Sequence, residues 1–243
     1  IGGGRSNSIT GVTPAFNFLG GGSGNSLITS DYSSLVGGLE NSITGGDFNF
    51  IGGGSGIDLK DSNYSIIVGG VDNITSGSND CFIGGGEDNS VKNVSNTSIV
   101  GGSYNKITGD GHGSFIGGGD ANDIDVELSA IVGGVLNKIA SGQGFNGYSF
   151  IGGGEGNEIY SQFGAVLGGE NNIVSGSDSA IVGGSQNQLF GHHSLIAGAE
   201  SSHSSGDYSV GLGRQTKILD GHSGAFVAGD GQSRDHFSSG EHT

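Results

Sequence analysis

The 243-residue sequence has no methionine, no tryptophan, one proline and one cysteine. Near-absence of proline excludes collagen, and no Gly-X-Y triplet runs through the chain. A lone Cys81 excludes an intrachain disulfide. It stands where most repeats carry serine, so it reads as a small buried or half-buried residue rather than a nucleophile. No run is apolar enough to cross a bilayer, and no signal peptide is visible. The chain starts inside a repeat at Ile1, as an excised or processed piece of something longer would. Basic residues are scarce: eight Lys and Arg stand against 24 Asp and Glu, a net charge of −16. Nucleic acid and anionic membranes are both held by Lys and Arg, so neither is an expected partner. No long segment has apolar residues at helical spacing free of glycine, so no helix is expected.

What the chain does have is 55 glycines and a repeat. Apolar residues recur in register and charge is sparse, which argues against disorder. The unit is an apolar position, here a, then a Gly-Gly step, and Asn six residues after a. Position a falls at Ile1, Leu19, Leu35, Ile51, Ile67, Ile83, Ile99, Ile116, Ile131, Ile151, Val166, Ile181, Leu195, Val210 and Phe226. The asparagines are Asn7, Asn25, Asn41, Asn73, Asn89, Asn105, Asn122, Asn137, Asn157, Asn172 and Asn187, with Ile57 the exception among the first twelve units. The last three units lose the Asn.

Each unit holds two short apolar segments joined by Gly- and Asn-rich turns, both residues tolerating positive φ. The expected fold is therefore all-β: a parallel β-roll or β-helix solenoid of about fifteen short coils. At about 4.8 Å per coil these would make a rod of roughly 70 Å. Stacking would turn the asparagines into a ladder of side-chain amides bonded along the axis.

Up to Ile151 the residue before a alternates. Phe18, Phe50, Phe82, Phe115 and Phe150 are followed by Gly after a, while the units between carry Ser, Ile or Ala before a and Val after it. Large and small flanks would thus interdigitate at constant volume. These flanks share one face and a points to the other. A roll buries one set, and the other is expected to meet sister chains in a homo-oligomer, most simply a trimer. Three segments are expected: 1–160 with alternating coils, 161–230 with shorter coils, and a polar tail over 231–243.

The later units, Tyr208-Ser-Val-Gly-Leu-Gly213 and Ala225-Phe-Val-Ala-Gly229 above all, resemble the head repeats of trimeric autotransporter adhesins. Similar repeats occur in bacteriophage tail-fibre shafts. The resemblance covers about residues 160–230 and implies a parallel β-roll, a homotrimer and an extracellular place on a virion or bacterial surface. The earlier units depart from it by their longer period, Gly-Gly-Gly runs and Asn ladder. Nothing in the sequence suggests secretion machinery, which favours a phage-like fibre.

Candidate chemistry is sparse. The residues after Gly-Gly are often acidic: Glu40, Asp72, Glu87, Asp88, Asp120, Glu155, Glu170 and Glu200. They read as a solvated edge, with calcium as an alternative on Asp120 and Glu155. The segments around those two are similar to calcium-binding nonapeptide repeats, but with Asn in the turn and the wrong period. Six of seven histidines follow residue 190. His192 and His222 each follow a turn glycine and are the metal candidates, without a ligand spacing in one element. No nucleophile elbow or phosphate loop is present. Candidate receptor contacts are Phe145 and Tyr148, in the turn that departs most from the repeat, and His192 and His193. The expected function is a non-enzymatic, cofactor-free fibre or spike segment that contacts a surface receptor, a glycan being one candidate. A self-assembling filament subunit and a calcium-binding secreted repeat protein are the alternatives.

Overall fold

The computed structural model describes residues 1–11, 16–142, 147–229 and 236–238. It is an all-β parallel solenoid of about fourteen turns, with no helix among the described residues. Ile1, expected to open a fifteenth, is exposed and joins no strand. The chain divides into two compact units, residues 1–121 and 122–243.

In the first unit every turn adds one strand to each of two sheets. The first sheet stacks Phe18–Leu19, Ser34–Leu35, Phe50–Ile51, Ile66–Ile67, Phe82–Ile83, Ser98–Ile99 and Phe115–Ile116, all parallel. The second stacks Ser8–Thr10, Ser26–Ile28, Ser42–Thr44, Asp58–Lys60, Ile74–Ser76, Ser90–Lys92 and Lys106–Ile107. Register sets equivalent repeat residues on one another, as in Leu35↔Ile51↔Ile67. The second unit repeats the plan, from Ala130–Ile131 to Phe226–Ala228 in one sheet and from Asp123–Ile124 to His236–Phe237 in the other. Both its ladders run through residue 160 in register, Ile151↔Val166 and Ile159↔Val174.

Strands of two or three residues follow from the corners that bound them. After a comes a glycine such as Gly86, at φ +95°, where a Cβ would stand 2.0 Å from the Gly102 carbonyl oxygen of the next turn. Only glycine satisfies both conditions. Side chains alternate along each strand, so a and the apolar residue eight positions on point inward. Leu35, Ile43, Ile51, Leu59, Ile67, Ile83, Val91 and Ile99 are all fully buried. The two columns face one another across an interior one side chain deep on each side. Serines such as Ser33, Ser65, Ser129 and Ser179, which look like linker residues in the sequence, line a third, polar column.

Two expectations change. In the last three units the inward residue is Ile196, Gly211 and Val227, not Leu195, Val210 and Phe226. Ala180 pairs with Leu195 and Ile181 with Ile196, so the period stays at fifteen there. In Ser-Leu-Ile-Ala either apolar residue fits an inward slot, and the pairing selects the second. The alternating flanks also balance volume differently. A Cβ on Gly20, Gly52 or Gly84 would meet the ring of Phe18, Phe50 or Phe82 at 3.1–3.3 Å. Each ring thus lies across the glycine of its own strand, and each rung is levelled by itself rather than by its neighbours.

Thr75 marks a flaw in the core. It is fully buried between Leu59 and Val91, and its hydroxyl has no hydrogen-bond partner. Thr75→Val keeps the shape and removes the orphaned group. It should stabilise the protein by about 1–2 kcal/mol, read as a higher melting temperature by circular dichroism.

Candidate functional site

A chain that bends at a corner leaves backbone groups without ladder partners. The repeated Asn meets that need. Asn89 donates from Nδ2 to the carbonyls of Gly85 in its own turn, at 3.0 Å, and Gly102 in the next, at 2.8 Å. Its Oδ1 accepts the backbone N–H of Asn105 at 3.1 Å. Asn7, Asn25, Asn41, Asn73 and Asn105 make the same pair of glycine contacts in the first unit. Asn137, Asn157, Asn172 and Asn187 repeat them in the second, the last reaching Ala199 in place of a glycine, and Oδ1 of Asn122 accepts the N–H of Asn137. From Asn25 to Asn187 all are fully buried. Their main partners are backbone groups, with amide-to-amide bonds added at Asn105→Asn89 and from Asn137 to Asn187. Where Asn is lost, hydroxyls take over: Ser202 accepts the Thr216 N–H at 3.0 Å and donates to Gly213.

An opposite corner has a second acceptor column that the sequence does not announce. The N–H groups of Asp31, Asp47, Asn63, Asn79 and Ser95 bond in turn to side chains of Asp47, Asn63, Asn79, Ser95 and His112. In the second unit Ser177 bonds to Nδ1 of His192, whose own N–H bonds to Asp207.

These ladders leave two broad outer faces of different character. Among the described residues no strand of the first sheet contains a charged residue. Its outward side chains, Phe18, Val36, Ile66, Val68, Val100 and Phe115 among them, are exposed. By contrast, all five lysines, Lys60, Lys92, Lys106, Lys138 and Lys217, lie in strands of the second sheet. There Asp123, Lys138 and Glu158 sit on successive rungs.

Beside the first-sheet face, two residues before each strand, runs a corner of left-handed backbone. Tyr32, Phe48 and Tyr64 hold it at φ 54°, 59° and 53°. Phe16, Tyr32, Phe48 and Tyr64 form one stack, with centroids 5.3, 4.9 and 5.0 Å apart. Left-handed backbone costs a residue with a Cβ about 1–2 kcal/mol. Each stacked pair returns about 0.5–1.5 kcal/mol, so the two nearly cancel.

Of the proposed receptor contacts, Tyr148 occupies the equivalent corner, half-exposed, its ring 5.2 Å from Phe163. His193 stacks on Tyr208 at 4.9 Å and its Nδ1 lies 3.9 Å from Asp178. His192 is exposed on the acceptor column. Phe145 lies outside the described residues. The metal candidates do not meet: Asp120 is exposed in the first unit, Glu155 lies beside Glu170 in the second, and His222 Nδ1 bonds to Ser238. Among the described residues no three His, Cys, Asp or Glu side chains converge on a point. Cys81 is buried, with Sγ donating to the Asn79 carbonyl, and burial pushes its thiol pKa up, away from the reactive thiolate. No model of a known protein family and no curated protein matches the chain.

Two predictions follow from these bonds. Asn89→Leu orphans the Gly85 carbonyl and the Asn105 N–H, leaves the Gly102 carbonyl only its bond from the Glu87 N–H, and should cost about 2 kcal/mol or more, whereas Ile57→Asn restores the missing rung and should raise stability, both read by thermal melting. Tyr160 donates to Glu158 at 2.7 Å, and this bond, then burial and the carboxylate charge, pushes its pKa up to about 12. The sign is that of an acid held neutral in the fold, so its contribution is present below the ordinary tyrosine pKa and lost as pH rises through about 12. Absorbance titration should show one tyrosine ionising last, and Glu158→Gln should bring it back toward the others.

Proposed function

We propose that this chain is a non-enzymatic segment of a fibre or spike, of the phage tail-fibre or surface-adhesin kind. It works outside the cell, assembles as a homotrimer through the first-sheet face, and contacts a surface receptor through corners such as those of Tyr148, His192 and His193. The observation that carries this reading is the placement of charge. In a chain of net charge −16, copies repel, and burying an unpaired ion costs several kcal/mol. The one broad face free of charge is also the apolar one. Contiguous exposed apolar surface of this kind marks an interaction site. Within each unit the faces share one strand plan over every turn, so an interface built on them can extend with the number of turns in that unit.

Sedimentation equilibrium should give three times the chain mass, and Val68→Lys with Val100→Lys should weaken association at least tenfold without altering the circular dichroism spectrum. A monomer at every concentration would count against the assembly. Adsorption to a panel of bacterial cells and a glycan array tests the receptor, and no binding to either would remove that part of the proposal.

A further inference from the structure

In the first unit, four of the seven first-sheet strands, from Phe18–Leu19 to Ile66–Ile67, are preceded by a ring of the stacked aromatic corner. Burial alternates through the corner: Ser65 and Ile67 are buried while Tyr64, Ile66 and Val68 face outward, as do Phe48, Phe50 and Gly52 in the turn before and Tyr32, Ser34 and Val36 before that. Phe16, Tyr32, Phe48 and Tyr64 are 46–73% exposed. In the next two turns the same corner is held by Asp80 and Asn96 at φ 55° and 59°, residues that take this backbone readily and expose no ring. Rings therefore occupy four successive corners where a small polar residue would serve the single chain at least as well.

We infer that the column Phe16–Tyr32–Phe48–Tyr64 is covered by a second copy of this chain and forms the seam of the assembly proposed above, on which this inference rests. The stacking decides the kind of partner. Successive rings from Tyr32 to Tyr64 are within 5° of parallel, so their faces are taken up by one another and their edges point outward. A sugar ring stacks on an aromatic face, and this column has only edges to offer along its length. Edges between apolar flanks suit the side chains of a protein surface. A second copy is the partner that also presents an uncharged face to a chain of net charge −16.

Area favours the column. A stable interface takes about 800 Å² from each partner. Four aromatic side chains of about 200 Å², each about half exposed, offer about 400 Å². In this unit the flat strands, whose alternate rungs present a ring over glycine or a Val beside Ser or Ile, have to supply only the other half.

The test is sedimentation equilibrium of the full chain carrying Tyr32→Asn, Phe48→Asn and Tyr64→Asn together. Asn has a precedent at Asn96, so the fold should be kept, with unchanged circular dichroism, while association weakens at least a hundredfold. A single Tyr64→Asp, with its precedent at Asp80, should also dissociate the assembly by setting like charges in the seam. If the wild type associates and both variants associate as tightly, the seam is elsewhere and the inference falls while the assembly stands. If the wild type is a monomer at every concentration, both fall.

Discussion

A polypeptide that turns corners inside a stack of like turns leaves N–H and C=O groups at each corner aimed where no strand stands, and the buried asparagine amide supplies their partners. Asn is the side chain that accepts and donates at once from a short stem. Asp in that place could not donate to the two carbonyls, and Leu could do neither. The fully buried polar column is thus not a concession in the core but a condition of having corners. The fit also dictates the neighbouring residues. The amide reaches the carbonyl of the next turn only because the glycine there has no Cβ: on Gly86 a Cβ would meet Asn89 Nδ2 at 2.7 Å and the Gly102 oxygen at 2.0 Å. Gly-Gly and Asn are therefore one device, and the regular spacing between them reflects a hydrogen bond rather than a preference for turns.

That device narrows everything else. With corners filled by amides and hydroxyls, each turn has room for about two large inward apolar residues, one per sheet, and these form the columns headed by Leu19 and Leu27. A thin interior of this kind tolerates little variation. Ile57 in the amide column has its δ-methyl where Nδ2 stands elsewhere, 2.7 Å from the Cβ position of Gly54. Thr75 brings a hydroxyl into the apolar column. Both sit next to intact rungs, and both are local exceptions that the ladder on either side carries.

Much of this is legible in the sequence because the period is rigid. Position a, its outward flanks and the Asn column can be read from spacing alone, since any slip by one residue would exchange inside for outside. The last three turns escaped because Leu195-Ile196 and Phe226-Val227 offer two apolar residues to one inward slot, and only hydrogen-bond pairing chooses. The inward serines escaped because Ser in a Gly-rich stretch looks like a linker. The corner acceptor column running from Asp47 to His112 escaped for another reason: Asp, Asn, Ser and His share an acceptor atom but no recognisable motif. Aromatic corners were hidden too, because Tyr and Phe are poor candidates for left-handed backbone.

Charge and shape meet on the two outer faces. The same alternation that sends a inward sends its flanks outward, so a repeat with apolar residues at three successive positions must expose two of them. A single chain in water would do better with polar flanks, and the second sheet has them: its outward positions carry every lysine of the protein beside Asp58, Asp123 and Glu158. The sequence is therefore able to make a soluble face with this architecture and does so on one sheet only. On the other it keeps Phe, Val, Ile, Leu and Ala through both units, with the rings of Phe18, Phe50 and Phe82 folded over their own glycines in the first. A face so constructed is costly for an isolated chain and serviceable for one that is covered, and this difference between the two sheets is the physical basis of the assembly proposed above.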